Sequence, residues 1–197
     1  MNYQVKVAEP RNTILVDVDC VCADLYDAIA LEAALLGYPF SMIRSYDVLS
    51  QYNEDVQADL RAAMKEPGFA TGMNPVHGAQ DGVKALRMLG LHVLFVTSPQ
   101  KNDHWPIERI HWLQRHFGAK YSDVINSKHK NLIRGLTLID DHPDHVVSWS
   151  LANSGRAAIW YDAGWTTQPM VTGAVTPRAA NWSDVTAAVE RMLKKRA

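Results

Sequence analysis

Three aspartates crowd the stretch ILVDVDCVCAD, residues 14–24: Asp17, Asp19 and Asp24 follow directly on a short apolar run. Carboxylates this close repel one another. Such a cluster is either loop chemistry, in which carboxylates satisfy backbone donors, or a site built for a cation. Other polar groups stand at comparable places along the chain. Thr97 and Ser98 end the apolar run LHVLFVTS, Asp140 and Asp141 end LTLIDD, and Lys130 lies shortly before that second run. Each group taken alone has a bland explanation, since Asp, Ser and Thr at strand ends cap helices and turns. Taken together they would bring four carboxylates, two hydroxyls and an ammonium to one place. Those carboxylates cannot all stay ionised without positive charge beside them. Mg²⁺, which takes oxygen ligands and shares the oxygens of substrate phosphates, answers that need. The hydroxyls and Lys130 then complement the phosphate.

For these groups to meet, the runs that carry them must be parallel strands of one sheet. The apolar runs at 13–19, 91–98, 123–126, 136–141 and 157–164 read as short strands, several of them apolar on both faces as buried parallel strands are. Helical patterns at 77–89 and 105–117 lie between them. The second has Pro106 in its first turn and a stripe of Ile107, Ile110, Leu113 and Phe117. Gly90 and Gly118 follow the two helices, where a left-handed cap is wanted. Alternation of this kind predicts an α/β fold, a parallel Rossmann-like sheet with flanking helices, whose ligands bind beyond the carboxyl ends of the strands. Residues 24–75 interrupt the rhythm with helices predicted at 24–36 and 54–65. The expected organisation is a core of 1–23 and 76–197 with a small helical cap, 24–75, inserted after the first strand. A last helix over 183–195 has Ser183 as its expected N-cap and a basic C-terminal end.

The ordered set resembles the haloacid dehalogenase (HAD) superfamily of phosphotransferases: Asp17-Val-Asp19, then Thr97-Ser98, Lys130 and Asp140-Asp141. A closer resemblance is to the 5'(3')-deoxyribonucleotidases. It rests on LVDVDCVCAD, VTSP, LIDDHPD, EPGFATGMNPVHGA, ERIHWLQRHFG and the late NWSD, and so spans most of the chain. The resemblance implies Asp17 as nucleophile, forming an aspartyl-phosphate, and Asp19 as general acid and base. It implies Mg²⁺ held by the Asp17 carboxylate, the Asp19 carbonyl and Asp141, with Asp140 in support. The residues alone do not separate Asp140 from Asp141. Thr97, Ser98 and Lys130 would bind the phosphate. Arg109 either joins them or is a solvated charge on an amphipathic helix.

In the cap, Tyr46 and Phe69 match positions at which the family stacks aromatic rings on the base, with Asp47 and Val48 beside the base edge. Leu25 stands where the family has an aromatic residue, and Cys20 replaces the glycine that follows the aspartate pair. The cysteine bears on turnover and adds an oxidation site. The implied activity is a Mg²⁺-dependent 5'-nucleotidase for (deoxy)nucleoside monophosphates. Two alternatives stay open: a phosphatase of the same superfamily for a non-nucleotide ester, and a catalytically silent nucleotide-binding protein. A signalling receiver domain places its acidic pair first and its phosphorylated aspartate later, the reverse of the order here. His142 and His145 read as loop or helix-start residues, not as metal ligands.

Composition is in keeping with these readings. The chain has 197 residues, 47% of them hydrophobic, and a formal net charge of −1. That size suits one core domain with an insert. No bulk positive field points to nucleic acid, and no apolar run is long enough for a membrane span or a secretory signal. The chain's two cysteines, Cys20 and Cys22, alternate along an extended strand and point opposite ways. They form no disulfide framework, so a reducing cytoplasm is the expected setting. The expected partner is the nucleotide substrate, with a homodimer left open.

Overall fold

The computed structural model describes residues 9–38, 47–98, 100, 102–164 and 176–196. Six strands form one sheet: β1 (Thr13–Val16), β2 (His92–Thr97), β3 (Val124–Asn126), β4 (Thr137–Asp140), β5 (Ile159–Tyr161) and β6 (Arg178–Ala179). Their spatial order is β3-β2-β1-β4-β5-β6 and every pairing is parallel. The chain moves outward from β1 to one side through β2 and β3, then returns to build β4, β5 and β6 on the other. The switch point therefore lies at the carboxyl ends of β1, β2 and β4, where the polar groups stand.

Side-chain alternation along the strands divides the core in two. Ile14 and Val16 of β1 face the larger cluster, which also takes Val83 and Leu86 of α4 (Ala79–Met88), Trp112 and Leu113 of α5 (Trp105–Phe117), and Val185 and Val189 of α7 (Trp182–Lys194). Leu15 faces the other way and packs with Leu138, Trp149 and Trp160, covered by α6 (Pro143–Ala152). β1 is wholly buried as a result, which is why it reads as an unbroken apolar run.

The segment between β1 and α4 contains α1 (Leu25–Leu35), α2 (Glu54–Ala63) and the short α3 (Phe69–Gly72). A third cluster gathers Tyr26, Ile29 and Ala33 of α1, Val48 and Leu49, and Val56 and Leu60 of α2 around Cys20. The two ends of this segment are tied together. Asp24 N–H donates to the Asn74 carbonyl and Val76 N–H to that of Cys22, both at 2.8 Å, and Ala23 forms an antiparallel bridge with Pro75. Glu108 of α5 accepts the Gly68 and Ala70 N–H groups at 2.7 and 3.2 Å, which seats α3 on the core.

Several elements differ from the sequence expectation. α7 begins one residue early, and its N-cap is Asn181, whose side chain accepts the Asp184 N–H at 3.0 Å; Ser183 lies inside the helix. Gly118 does close α5 in the left-handed conformation. On that helix Ile107 turns out to be exposed, and Trp105, Arg109 and Trp112 take the inward face beside Ile110, Leu113 and Phe117. Gly82 of α4 is packed so tightly on Trp182 that a β-carbon would lie 2.3 Å from its ring. Trp182 in turn donates its indole N–H to the Val21 carbonyl at 2.9 Å, bracing the loop after β1 from behind. Among the described residues no helix is long and apolar enough to cross a membrane.

Candidate active site

Asp17 is the first residue past β1, and its N–H still donates to the Ile139 carbonyl of β4 at 2.9 Å. The chain then turns sharply. Cys22 and Ala23 N–H groups both donate to the Val18 carbonyl, and Cys20 N–H to that of Ala23, each at 2.8 Å. The tight turn forces Cys20 to φ 63°, the left-handed region that favours glycine. This turn carries Asp17 and Asp19 to the rim of a cavity of about 620 Å³.

Lys130 supplies the nearest cation. It is buried, and its Nζ donates to Asp17 Oδ1 at 2.6 Å and to Asp140 Oδ2 at 2.7 Å. The other oxygen of Asp140 accepts the His142 N–H at 2.9 Å and faces His145 Nδ1 at 3.2 Å. These contacts separate the acidic pair that the sequence leaves ambiguous. Asp140 is fully buried with both oxygens engaged, and it anchors Lys130. Asp141 lines the cavity, and its backbone carbonyl accepts the Trp160 indole N–H at 2.9 Å.

The charge balance is uneven. Burial opposes the charge on Lys130, yet Asp140 and Asp17 on either side hold its ammonium above the usual lysine range. Burial also works against ionised Asp140, but Lys130 and His145 pull it down to about 2. Asp17 goes the other way. Burial first, and then the neighbouring Asp140 and Asp19, outweigh Lys130 and push it up to about 7. One lysine therefore does not neutralise this site.

A divalent cation fits the deficit. Carboxylate oxygens of Asp17, Asp140 and Asp141 lie within 4.8 Å of one another, all buried. With Asp140 committed to Lys130, the donors that face the cavity are Asp17 and Asp141. Beside them the hydroxyls of Thr97 and Ser98, at the end of β2, are buried without a hydrogen-bond partner among the described residues. Buried hydroxyls are seldom left unpaired, and this pair stands where an anionic oxygen would satisfy it.

Asp17, Asp19, Leu25, Asp47, Val48, Ser98, Lys130 and Asp141 all line the cavity. Thr97 and Asp140 are buried outside its lining. Two expectations change. Arg109 is neither solvated nor among the cavity walls: it is 0% exposed and ion-paired with Asp19. Phe69 stacks on Trp105 at 6.0 Å between ring centroids and is not among the lining residues. Tyr46 lies outside the described residues. The structure adds an apolar wall of Tyr26, Ile29, Leu49 and Met64, and basic Arg61, Lys65 and Lys128. Ile29 lies four positions after Leu25 and three after Tyr26 on the same helix, a spacing that could have found it. His145 also lines the cavity, while His142 caps α6 through its ring nitrogen, as a helix-start residue does.

A parallel sheet carrying an aspartate pair after its first strand, hydroxyls after its second and a lysine with an acidic pair at its fourth defines a hydrolase of the HAD fold. A HAD family hydrolase from Deinococcus radiodurans, solved with phosphate and sodium, is similar over 93% of this chain and 96% of its own, with a TM-score of 0.57 at 16% identity. The chain belongs to the family described as 5' nucleotidase, deoxy (pyrimidine), cytosolic type C protein, whose sequence profile matches residues 11–196. The human cytosolic 5'(3')-deoxyribonucleotidase is 30% identical over 145 residues, which are 65% of this chain and 69% of the human one. A Bordetella pertussis protein with a provisional 5'(3')-deoxyribonucleotidase name is 30% identical over 138 residues, 66% of this chain and 74% of its own.

Proposed function

We propose that this chain is a Mg²⁺-dependent phosphomonoesterase that hydrolyses (deoxy)nucleoside monophosphates through a phosphoryl-Asp17 intermediate. Family membership makes it a nucleotidase of HAD type. The observation that carries the mechanism is Asp17, held at 2.6 Å by Lys130 at the mouth of the cavity beside two unpartnered hydroxyls.

Asp17 attacks phosphorus, and the bond to the nucleoside oxygen breaks as that oxygen takes a proton from the Asp19 carboxyl. Water then attacks phosphorus and gives its proton to the Asp19 carboxylate, and the Asp17–phosphorus bond breaks to release phosphate. Thr97, Ser98 and Lys130 hold the non-bridging oxygens throughout. Asp17, Asp141 and the Asp19 carbonyl would hold Mg²⁺, which when bound offsets the negative charge of phosphate and carboxylates.

Residues 24–75 serve in this reading as a cap that shields the site and receives the nucleoside against Leu25, Tyr26, Ile29 and Val48. Asp47, also in the cavity wall, stands beside the base edge. Among the described residues this part of the wall is aliphatic apart from Tyr26. Arg61, Lys65 and Lys128 favour an anionic ester. The setting we assign is the cytoplasm, where the free thiols of Cys20 and Cys22 stay reduced, with a homodimer left open.

The test is inorganic phosphate release from 5'- and 3'-monophosphates, ribo and deoxy, alongside sugar phosphates, with Mg²⁺ and with EDTA. Mg²⁺-dependent release concentrated on nucleotides, and lost in Asp17→Asn, is the expected outcome. Release favouring sugar phosphates would overturn the substrate assignment, and wild-type turnover in Asp17→Asn would overturn the mechanism.

A further inference from the structure

Arg109 is a charge buried at a cost that packing alone does not explain. Its side chain is 0% exposed, with its guanidinium carbon 5.0 Å from the ring centroid of Trp105 and 5.5 Å from that of Trp112. Of its five N–H donors, those on Nη2 meet Asp19 Oδ1 and, at 3.4 Å, Met73 Sδ. The donors on Nε and Nη1 have no partner among the described residues. A buried guanidinium so thinly satisfied is worse for stability than an apolar residue of the same length. Among the described residues its one ionic contact is with a carboxylate that faces the cavity. Arg109 presents no exposed surface and is not part of the cavity lining, so among the described residues its link to the site runs through Asp19.

We infer that Arg109 is a positioning residue for proton transfer: it holds the Asp19 carboxylate at the cavity wall and stabilises the charge that forms there when Asp19 gives its proton to the departing oxygen. The inference rests on the nucleotidase reading above, in which Asp19 is the acid and base. Packing between two indoles gives Arg109 little freedom, so its grip on Asp19 is fixed by α5 and not by the substrate. In the first half of the reaction the Asp19 proton goes to the leaving oxygen as the phosphorus–oxygen bond breaks. In the second half the same carboxylate takes a proton from water. Arg109 keeps its own protons throughout.

A leaving-group series separates this role from phosphate binding. A nucleoside oxygen needs a proton to depart, whereas p-nitrophenolate leaves without one. Arg109→Met should lower kcat/KM for a nucleoside monophosphate by about 10²-fold, and the loss should shrink to about threefold or less for p-nitrophenyl phosphate. The fall should appear in kcat with KM little changed. Arg109→Lys keeps the charge and should recover part of the loss, and it carries the test if the methionine variant does not fold. In an Asp19→Asn background Arg109→Met should add no further loss. An equal loss on every leaving group, or a rise in KM alone, would overturn the positioning role while leaving the nucleotidase reading intact. Wild-type protein that releases phosphate from no ester would overturn both.

Discussion

Replacing Asp17, the proposed nucleophile, should abolish activity and yet stabilise the metal-free protein. Asp17 is pushed from 3.8 to about 7 by burial and by Asp140 and Asp19, even with Lys130 beside it. A group whose folded pKa is raised binds its proton more tightly in the native state, so native stability falls as pH rises through the window between the two values. For Asp17 that window runs from about pH 4 to about pH 7. Above it the ionised carboxylate costs the fold at most about 4 kcal/mol, since a tenfold difference in proton affinity between the folded and unfolded chain is worth about 1.4 kcal/mol. Asp17→Asn removes the charge and keeps an oxygen that can still accept from Lys130. Lys130 itself retains Asp140 at 2.7 Å, so no cation is orphaned. If half of that ceiling is realised, the variant gains about 2 kcal/mol, a rise in Tm of roughly 4–8 °C for a chain of this size. The assay is thermal unfolding followed by circular dichroism in EDTA at pH 8 and pH 5, then at pH 8 with Mg²⁺. The gap should be widest in EDTA at pH 8 and narrower at pH 5. Mg²⁺ should close it, because the wild type gains more from the cation than the variant does. A variant that melts at or below the wild type in EDTA at pH 8 would refute the claim that Lys130 leaves the site under-neutralised.

Two further substitutions probe binding and docking. Thr97→Val removes a buried hydroxyl that has no partner among the described residues, so Tm should hold or rise while kcat/KM falls roughly 10- to 100-fold, as for a lost hydrogen bond to a charged oxygen; melting and kinetics together check it. Glu108→Ala leaves the Gly68 and Ala70 N–H groups without their carboxylate acceptor and should cost about 1 kcal/mol, or roughly 2–4 °C in a melt.

What could be read from the sequence follows from which signals are local. β1, β2, β4 and β5 announce themselves because a strand buried on both faces must be apolar throughout. β6, with only Arg178 and Ala179, is too short to show any period. Asp17, Ser98, Lys130 and Asp141 could be placed at one site because strand ends in a parallel sheet converge whatever the side chains do. The split between Asp140 and Asp141 could not be read, since it depends on Lys130 and His145 reaching Asp140 from two sides. The charge of Arg109 suggests solvent, and there it misleads. Its spacing, four residues after Trp105 and four before Leu113, places it on the buried stripe, and Ile107 two positions earlier is 44% exposed. Phe69 resembles a base-stacking residue by its neighbours in sequence, but the docking of α3 on α5 sets it against Trp105 instead.

Cys20 shows how a departure from the family pattern can be absorbed by the fold around it. A left-handed residue with a β-carbon costs about 1–2 kcal/mol, and the turn after β1 imposes that conformation through three backbone hydrogen bonds that do not involve the cysteine side chain. The side chain is 7% exposed and joins Tyr26, Ile29 and Leu49 in the apolar wall of the cavity. Burying a group of that size returns about 1 kcal/mol, so much of the strain is offset where glycine would give neither strain nor wall. Burial, with Asp141 and Asp19 adding to it, drives the Cys20 thiol well above the ordinary range; burial and Asp17 do the same for Cys22. Both thiols are therefore held protonated, the form least reactive toward oxidants. Cys20 thus forms part of the cavity lining without adding a competing nucleophile beside Asp17, the proposed site of phosphoryl transfer.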